Sequence, residues 1–319
     1  MNRTTTLGHS SLNLNRIGLG CMGMSEFYGS FNEKESIRTL HKAIDLGVNF
    51  YDTADMYGWG ANERLLGKAF QGRWDKVTLA TKFAVMRGPN GEFLGLNCKP
   101  DYIRQACESS LQNLGVEAID LYYMHRQDPE VEIEEIVGTL AELVQEGKIK
   151  HIGLSEVDPA TLRRAHAVHP ISALQTEYSL WSREPESEIL AVCKELGITF
   201  VAYSPLGRGF LTGAIKSRTD LEEGDWRLTQ PRFTEEAIQE NLKFVEVIDQ
   251  IAQRKGATKA QIALAWILSQ NEEITTIPGT RKIHRLEENI AAHEVKLTAT
   301  DLAEIEEHAP TDTVGERYG

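Results

Sequence analysis

The feature that most constrains this chain is a repeated grammar: an amphipathic segment, a glycine, a few residues, then a short apolar run. Residues 33–46 place Ile37, Leu40, His41 and Ile44 on one helical face and stop at Gly47. Residues 101–114, 133–146 and 187–196 stop in the same way at Gly115, Gly147 and Gly197. A helix from Pro159 to about residue 167 and two more over 235–254 and 259–270 complete the helical pattern. The apolar runs are 16–20, 48–52, 77–82, 119–125, 149–155, 171–177, 199–204 and 274–279. They are continuous enough to be strands buried on both faces. Eight alternating strand–helix units in 319 residues predict an α/β fold, a (β/α)8 TIM barrel. An open doubly wound sheet is the runner-up. Residues 4–14 read as a short N-terminal β-hairpin closing the barrel bottom. No linker or composition shift divides the chain, so residues 1–319 are expected to form one barrel domain.

Charge narrows the partners. Lys and Arg total 34 against 47 Asp and Glu, a net charge of −13, which argues against a nucleic-acid or membrane-surface binder. Residues 1–11 lack the apolar core of a signal peptide, and no run approaches a membrane span. Cys21, Cys98, Cys107 and Cys193 are scattered, with no CxxC pair. A cytoplasmic location is expected. An oligomer is compatible with these features, but none of them predicts one.

In such a barrel the chemistry belongs at the C-terminal strand ends. Strand two ends at Asp52 and leads to Tyr57; strands three and four end at Lys82 and His125. A free tyrosine, with a pKa of about 10, donates poorly near neutrality. A neighbouring ammonium lowers that value, and a buried Lys82 takes Asp52 as its counter-charge. His125 then orients a carbonyl oxygen beside the tyrosine. Each residue alone has an ordinary structural explanation. Together they suit giving a proton to a carbonyl oxygen as a hydride reaches its carbon.

The run Thr280-Arg281-Lys282-Ile283-His284-Arg285 is a basic cluster in an acidic protein, placed after strand eight where a helix begins. Barrels often bind phosphate there, and a solvated helix end is the competing explanation. Gly18, Gly20 and Gly23 spell GxGxxG, but residues 24–31 intervene before helical periodicity begins, so a loop is expected rather than a Rossmann turn. His166 and His169 are three apart without a partner ligand, so no metal is expected. Phe27, Tyr28, Trp59 and Trp226 fall in loops over the expected mouth, either lining a hydrophobic substrate site or simply covering the barrel.

At these positions the sequence resembles the aldo-keto reductases, from Gly18 to Asn289. The matching motifs are Asp52-Thr53-Ala54 with Tyr57-Gly58, Asn62-Glu63 with Leu66-Gly67, Thr81-Lys82, Asp120-Leu121-Tyr122 with His125, Gly147-Lys148-Ile149 leading to Gly153-Leu154-Ser155, Gln175, and Ala202-Tyr203-Ser204-Pro205-Leu206-Gly207. The resemblance implies Tyr57 as general acid, Lys82 and Asp52 as its tuning pair and His125 as the carbonyl-orienting residue. It implies NADPH as cofactor, with Tyr203 stacked on the nicotinamide and Ser155 and Gln175 on the carboxamide. Ser204, Leu206, Gly207 and Gly209 would line the pyrophosphate. Thr280, Arg281 and Arg285 would meet the 2′-phosphate, and Glu288 and Asn289 the adenine. Gly20, Met22 and Gly279 are further cofactor-binding candidates. Tyr28, Trp59 and Arg126 are candidates for binding a small-molecule carbonyl substrate.

Three features depart from the commonest family pattern. Glu156 follows Ser155 where Asn is frequent; a carboxylate there still accepts from a carboxamide NH2. Arg126-Gln127 follows His125. The tail after Pro310 is short, which implies a more open pocket. The chain looks closest to the branch that includes pyridoxal-reductase-like and perakine-reductase-like enzymes. Two other functions stay in view: a cofactor-binding regulatory protein like the potassium-channel β subunits, and a Schiff-base aldolase using Lys82. A short-chain dehydrogenase is excluded, because no Tyr has a Lys four residues later.

Overall fold

The computed structural model describes residues 2–28, 31–88, 90–308 and 313–318. Gly29 and Ser30, inside the loop expected after the glycine motif, and Pro310 lie outside the described residues. The barrel strands are β3 (Leu19–Gly20), β4 (Phe50–Asp52), β5 (Thr78–Phe83), β8 (Ile119–Met124), β9 (Ile149–Ser155), β10 (Ala173–Glu177), β11 (Thr199–Tyr203) and β12 (Ile274–Thr276). They form one eight-stranded sheet in the order β12-β11-β10-β9-β8-β5-β4-β3, with parallel pairing throughout. Parallel bridges Ile17↔Thr276 and Gly20↔Gly279 join its two edges, so the sheet closes. The edges are shorter than the apolar runs suggest. Pro278 has no N–H to give, and the ladder there reduces to the Gly20 amide donating to the Pro278 carbonyl at 3.3 Å.

An antiparallel hairpin, β1 (Thr4–Thr6) and β2 (Asn13–Asn15), precedes the barrel with Thr5 opposite Leu14. Leu7 and Leu14 cluster with Phe50, Ala80, Leu121, Tyr123, Ala173, Val201 and Ile277 inside the barrel. The hairpin therefore plugs one end, and the opposite end is left for chemistry. A larger apolar layer joins the outer strand faces to the helices. These are α1 (Glu33–Asp45), α2 (Ala61–Phe70), α3 (Pro100–Leu114), α4 (Ile133–Gln145), α5 (Pro159–Val168), α6 (Ile189–Leu196), α7 (Glu235–Lys255), α8 (Lys259–Gln270), α9 (Ile283–Ile290) and α10 (Ala299–His308). Gly115 and Gly197 cap α3 and α6 with left-handed φ values of 68° and 63°.

Three elements go beyond the sequence reading. Helix α2 starts from Gly60 with no side-chain cap and carries Gly67 in its middle, which hides it from pattern. A Cβ on Gly67 would lie 2.6 Å from the Leu114 carbonyl, so the glycine allows α2 and α3 to meet closely. The second element is a hairpin of β6 (Val85–Arg87) and β7 (Phe93–Leu96) after β5. The third is α10, tied to the end of α7 by Lys255–Asp301 at 2.6 Å. No helix among the described residues is long and apolar enough to cross a membrane.

Candidate active site

Asp52, Lys82 and His125 stand at the ends of the neighbouring strands β4, β5 and β8. The Lys82 ammonium, fully buried, donates to Asp52 Oδ1 at 2.5 Å and to the Thr53 carbonyl at 2.7 Å. Gln175 from β10 donates to the other Asp52 oxygen at 2.7 Å. Lys82 Nζ lies 5.2 Å from the Tyr57 ring centroid, and the His125 ring stands edge-on to Tyr57 at 6.1 Å. Sheet register thus brings Asp52, Lys82 and His125 together, and the turn after β4 carries Tyr57 to them. Gln175, expected at a carboxamide, spends its amide nitrogen on the Asp52 carboxylate.

Burial dominates the protonation of this group. It pushes the Asp52 carboxyl up and the Lys82 ammonium down, each opposed by contact with the other. His125 is held well below its ordinary value by burial, then by Lys82 and Arg126, so its imidazole is neutral. Its Nδ1 is buried without a hydrogen-bond partner. The expectation that an ammonium lowers the Tyr57 pKa is corrected. Burial and then Asp52 push the Tyr57 hydroxyl well up, and Arg126 is the cation that opposes them.

The motif residues around the tetrad hold it in place. Asn62 accepts from Thr53 at 2.7 Å and donates to the Cys21 carbonyl at 2.9 Å and to Ser25 Oγ at 2.8 Å. Glu63 accepts from Thr81 at 2.7 Å and from Asn113 at 3.0 Å. These bonds tie the Tyr57 loop and β5 to α2.

Arg126 donates to the His125 carbonyl at 2.6 Å and to Ser155 Oγ at 3.1 Å. It stands beside the tetrad, close enough to His125 and Tyr57 to bear on both. The Tyr28 ring carries the Arg227 guanidinium 5.0 Å from its centroid, and burial pushes its hydroxyl up to about 12. Trp59 is 40% exposed, gives its indole N–H to the Arg87 carbonyl and faces the Arg87 guanidinium, so it packs on a neighbouring loop.

On the opposite side, the chain after β11 turns through Ser204, Gly207, Arg208 and Gly209 at φ values of 49°, 57°, 57° and 95°. The Gly207 and Gly209 amides donate to the Ser204 and Leu206 carbonyls at 2.9 and 3.0 Å, which closes a tight turn. Gly20 and Gly279 face each other across the closing bridge, with Met22 in the short helical turn that follows. In the basic cluster, Lys282 is occupied by Glu35 at 2.9 Å, and the Thr280 hydroxyl accepts the Lys282 amide at 3.1 Å. Arg281 donates to the Gly23 carbonyl at 3.1 Å. Among the described residues Arg281 and Arg285 make no ion pair, which leaves both guanidiniums for an exogenous phosphate. Asn289 is buried and Glu288 half-buried on α9. These residues fit a phosphorylated dinucleotide. No three His, Cys, Asp or Glu side chains among the described residues gather as a metal would require.

The expectation of an open mouth is also corrected. The tail over 313–318 folds back as a strap. The Arg232 side chain donates to the Gly315 carbonyl at 3.0 Å, and Arg208 to the Arg317 carbonyl at 2.8 Å. Arg208 in turn pairs with the buried carboxylate of Glu177 at 2.8 Å. Asn241 holds Val314 at both its carbonyl and its amide. The Tyr318 hydroxyl reaches the Tyr203 hydroxyl at 2.7 Å, and Arg317 pairs with Glu156 at 2.9 Å. Glu156, considered above as a carboxamide acceptor, also takes the Glu177 amide at 3.0 Å and the Tyr203 hydroxyl at 2.8 Å. Burial raises its carboxyl, but Arg317 and these hydrogen bonds outweigh burial and hold it below the ordinary range. Sequence reasoning missed Glu177, Arg208, Arg232, Arg317 and Tyr318. Only two polar residues inside an apolar strand run, Gln175 and Glu177, hinted at them.

A closed parallel barrel thus carries a buried Asp–Lys pair and a neutral histidine at its strand ends, with a tyrosine in the turn beside them. The family model of the aldo/keto reductases matches residues 16–310. The chain is 46% identical over 308 residues to an NADP(+) aldo-keto reductase of Schizosaccharomyces pombe, covering 95% of this chain and 91% of that protein. A glycerol dehydrogenase from Gluconobacter oxydans superposes with a TM-score of 0.88 at 27% identity, over 97% of both chains. An aldo/keto reductase from Klebsiella pneumoniae in complex with NADP and acetate superposes with a TM-score of 0.79 at 25% identity, over 100% of this chain and 99% of that one. The chain belongs to the aldo/keto reductase family.

Proposed function

We propose that this protein reduces aldehydes or small ketones to alcohols with NADPH, with Tyr57 as the proton donor. The observation that carries the reading is the buried Lys82–Asp52 pair at 2.5 Å, its ammonium 5.2 Å from the Tyr57 ring, with neutral His125 edge-on. NADPH, when bound, supplies the hydride. Tyr57 keeps its proton at neutral pH because burial and Asp52 raise its pKa. It gives that proton only as the carbonyl oxygen becomes an alkoxide, a stronger base than a phenolate. Lys82 and Arg126 are the cations available to the phenolate left behind. His125 orients the carbonyl oxygen with a neutral N–H and brings no competing charge. The glycine turn over 204–209 lies against the cofactor pyrophosphate and the guanidiniums of Arg281 and Arg285 hold the 2′-phosphate, which favours NADPH over NADH.

The aldolase alternative loses ground here. A nucleophilic lysine needs a neutral, reachable amine, whereas Lys82 is fully buried and donates to two oxygens. All four cysteines are buried and free, in keeping with the cytoplasmic location inferred from the sequence. We read the chain as a single barrel acting on small molecules.

The test is oxidation of NADPH by purified protein with a nitrobenzaldehyde, with NADH in parallel. Turnover with a clear NADPH preference is expected. Failure to bind NADPH would contradict the phosphate-site assignment, and tight binding without turnover on any carbonyl would favour a cofactor-sensing regulator.

A further inference from the structure

We propose that Glu26, in the loop after β3, and Arg87, at the end of β6, are positioning residues that set the place of Tyr57 from both sides of its backbone. The proposal rests on Tyr57 being the proton donor. Tyr57 is not on a strand. It lies in the turn between β4 and α2, where it is followed by three left-handed residues, Gly58, Trp59 and Gly60, at φ values of 54°, 55° and 69°. A tryptophan in that conformation persists only where its surroundings over-determine it. Something outside the turn must therefore hold it.

The Glu26–Arg87 pair meets that need. Glu26 Oε2 accepts the amide of Gly58, the residue after Tyr57, at 2.7 Å. Arg87 Nη1 donates to the carbonyl of Met56, the residue before Tyr57, at 2.9 Å. The two side chains lock to each other, with Arg87 Nη1 to Glu26 Oε2 at 2.7 Å and Nη2 to Oε1 at 2.6 Å. The remaining guanidinium donors go to the Gly91 carbonyl, at 3.2 Å from Nε and 3.0 Å from Nη2. Four hydrogen bonds and the Nη2–Oε1 ion-pair contact thereby fix the plane of the guanidinium. The Phe27 ring, beside Glu26 in sequence, stands edge-on to Tyr57 at 6.2 Å and carries the Arg87 guanidinium at 5.6 Å from its centroid. Both flanking peptides and one edge of the ring thus report to one ion pair. A bidentate pair on 12% and 25% exposed side chains holds geometry better than a solvated one.

Displacing a reacting group by about 1 Å can cost about 100-fold in rate. Glu26→Gln and Arg87→Ala are expected to lower kcat about 10- to 100-fold, with NADPH affinity by fluorescence titration unchanged. The solvent deuterium isotope effect on kcat should rise in both, as proton delivery becomes slower. Guanidinium ion added to Arg87→Ala should restore part of kcat and leave the parent enzyme unaffected. Full kcat in both variants, or a loss of kcat matched by loss of NADPH affinity with no isotope effect and no guanidinium rescue, overturns the proposal. Tyr57→Phe, run alongside, separates the two readings. If it keeps full turnover, the proton-donor assignment fails; if it is inactive while Glu26→Gln is fully active, the positioning role alone fails.

Discussion

The two halves of the site are built differently. Asp52, Lys82 and His125 are fixed by strand register, and each neighbour in the sheet supplies the next reacting group. The nucleotide half is made of loops and a chain end. Its parts are held by arginines donating to carbonyl oxygens: Arg281 to Gly23, Arg232 to Gly315, Arg208 to Arg317. The barrel therefore fixes Asp52, Lys82 and His125 through its sheet, and the loops are fixed one by one through bonds to main-chain oxygens. Tyr57 stands at the seam, a loop residue required to act with strand-end precision.

If that contrast is right, damage to the strand-end half should be severe and local. Lys82→Met should lower kcat by about 100-fold or more, since it removes a charge next to the developing phenolate. It leaves Asp52 buried without its cation, so a urea titration should show a stability loss of about 3–5 kcal/mol. Damage to the loop half should instead appear in binding. The double variant Arg281→Ala/Arg285→Ala should raise the NADPH Kd about 10- to 100-fold, the worth of one or two charge-assisted hydrogen bonds, and leave the NADH Kd unchanged.

The strap offers a finer test. Gly315 sits at a φ of 91°, and a Cβ there would lie 2.7 Å from the Pro231 carbonyl and 2.8 Å from Arg232 Cα. Gly315→Ala should unseat residues 313–318, seen as faster amide exchange of that segment, with kcat within about threefold of the parent because the tetrad is untouched. A large loss of kcat would mean that the two halves are not separable.

The smallest expected change is with pH. Burial, Lys82 and Arg126 lower the His125 pKa, so its neutral form persists as pH falls through the ordinary value of about 6.5. Burial and Asp52 raise that of Tyr57, so its proton is retained as pH rises past the ordinary value of about 10. The kcat profile should be flat between these limits. An inflection near 6.5 would show that the imidazole titrates in the working enzyme.

The same contrast explains how much could be read from the sequence. The (β/α)8 order was legible because most β–α units carry their own apolar period and four helical segments carry a glycine stop, and β9 and α8 match their expected bounds residue for residue. Tetrad residues on strands were legible because strand ends converge in a closed barrel. Helix α2 was not, because Gly60 and Gly67 remove its cap and its continuity. Nor was the strap. Arg208 and Arg232 are distant in sequence from 315–317, and their contacts with it are to backbone oxygen atoms, which leave no pattern in side-chain types. Glu26 and Arg87 escaped for the same reason, since their partners at Met56 and Gly58 are main-chain groups.

The central claim is that the proton comes from Tyr57 in a site whose cofactor half stands independently. Single-turnover reduction of an aromatic aldehyde by Tyr57→Phe, with NADPH affinity measured on the same sample, addresses it most directly. The account predicts a rate about 100- to 10,000-fold below the parent with NADPH binding intact. A rate equal to the parent would contradict it.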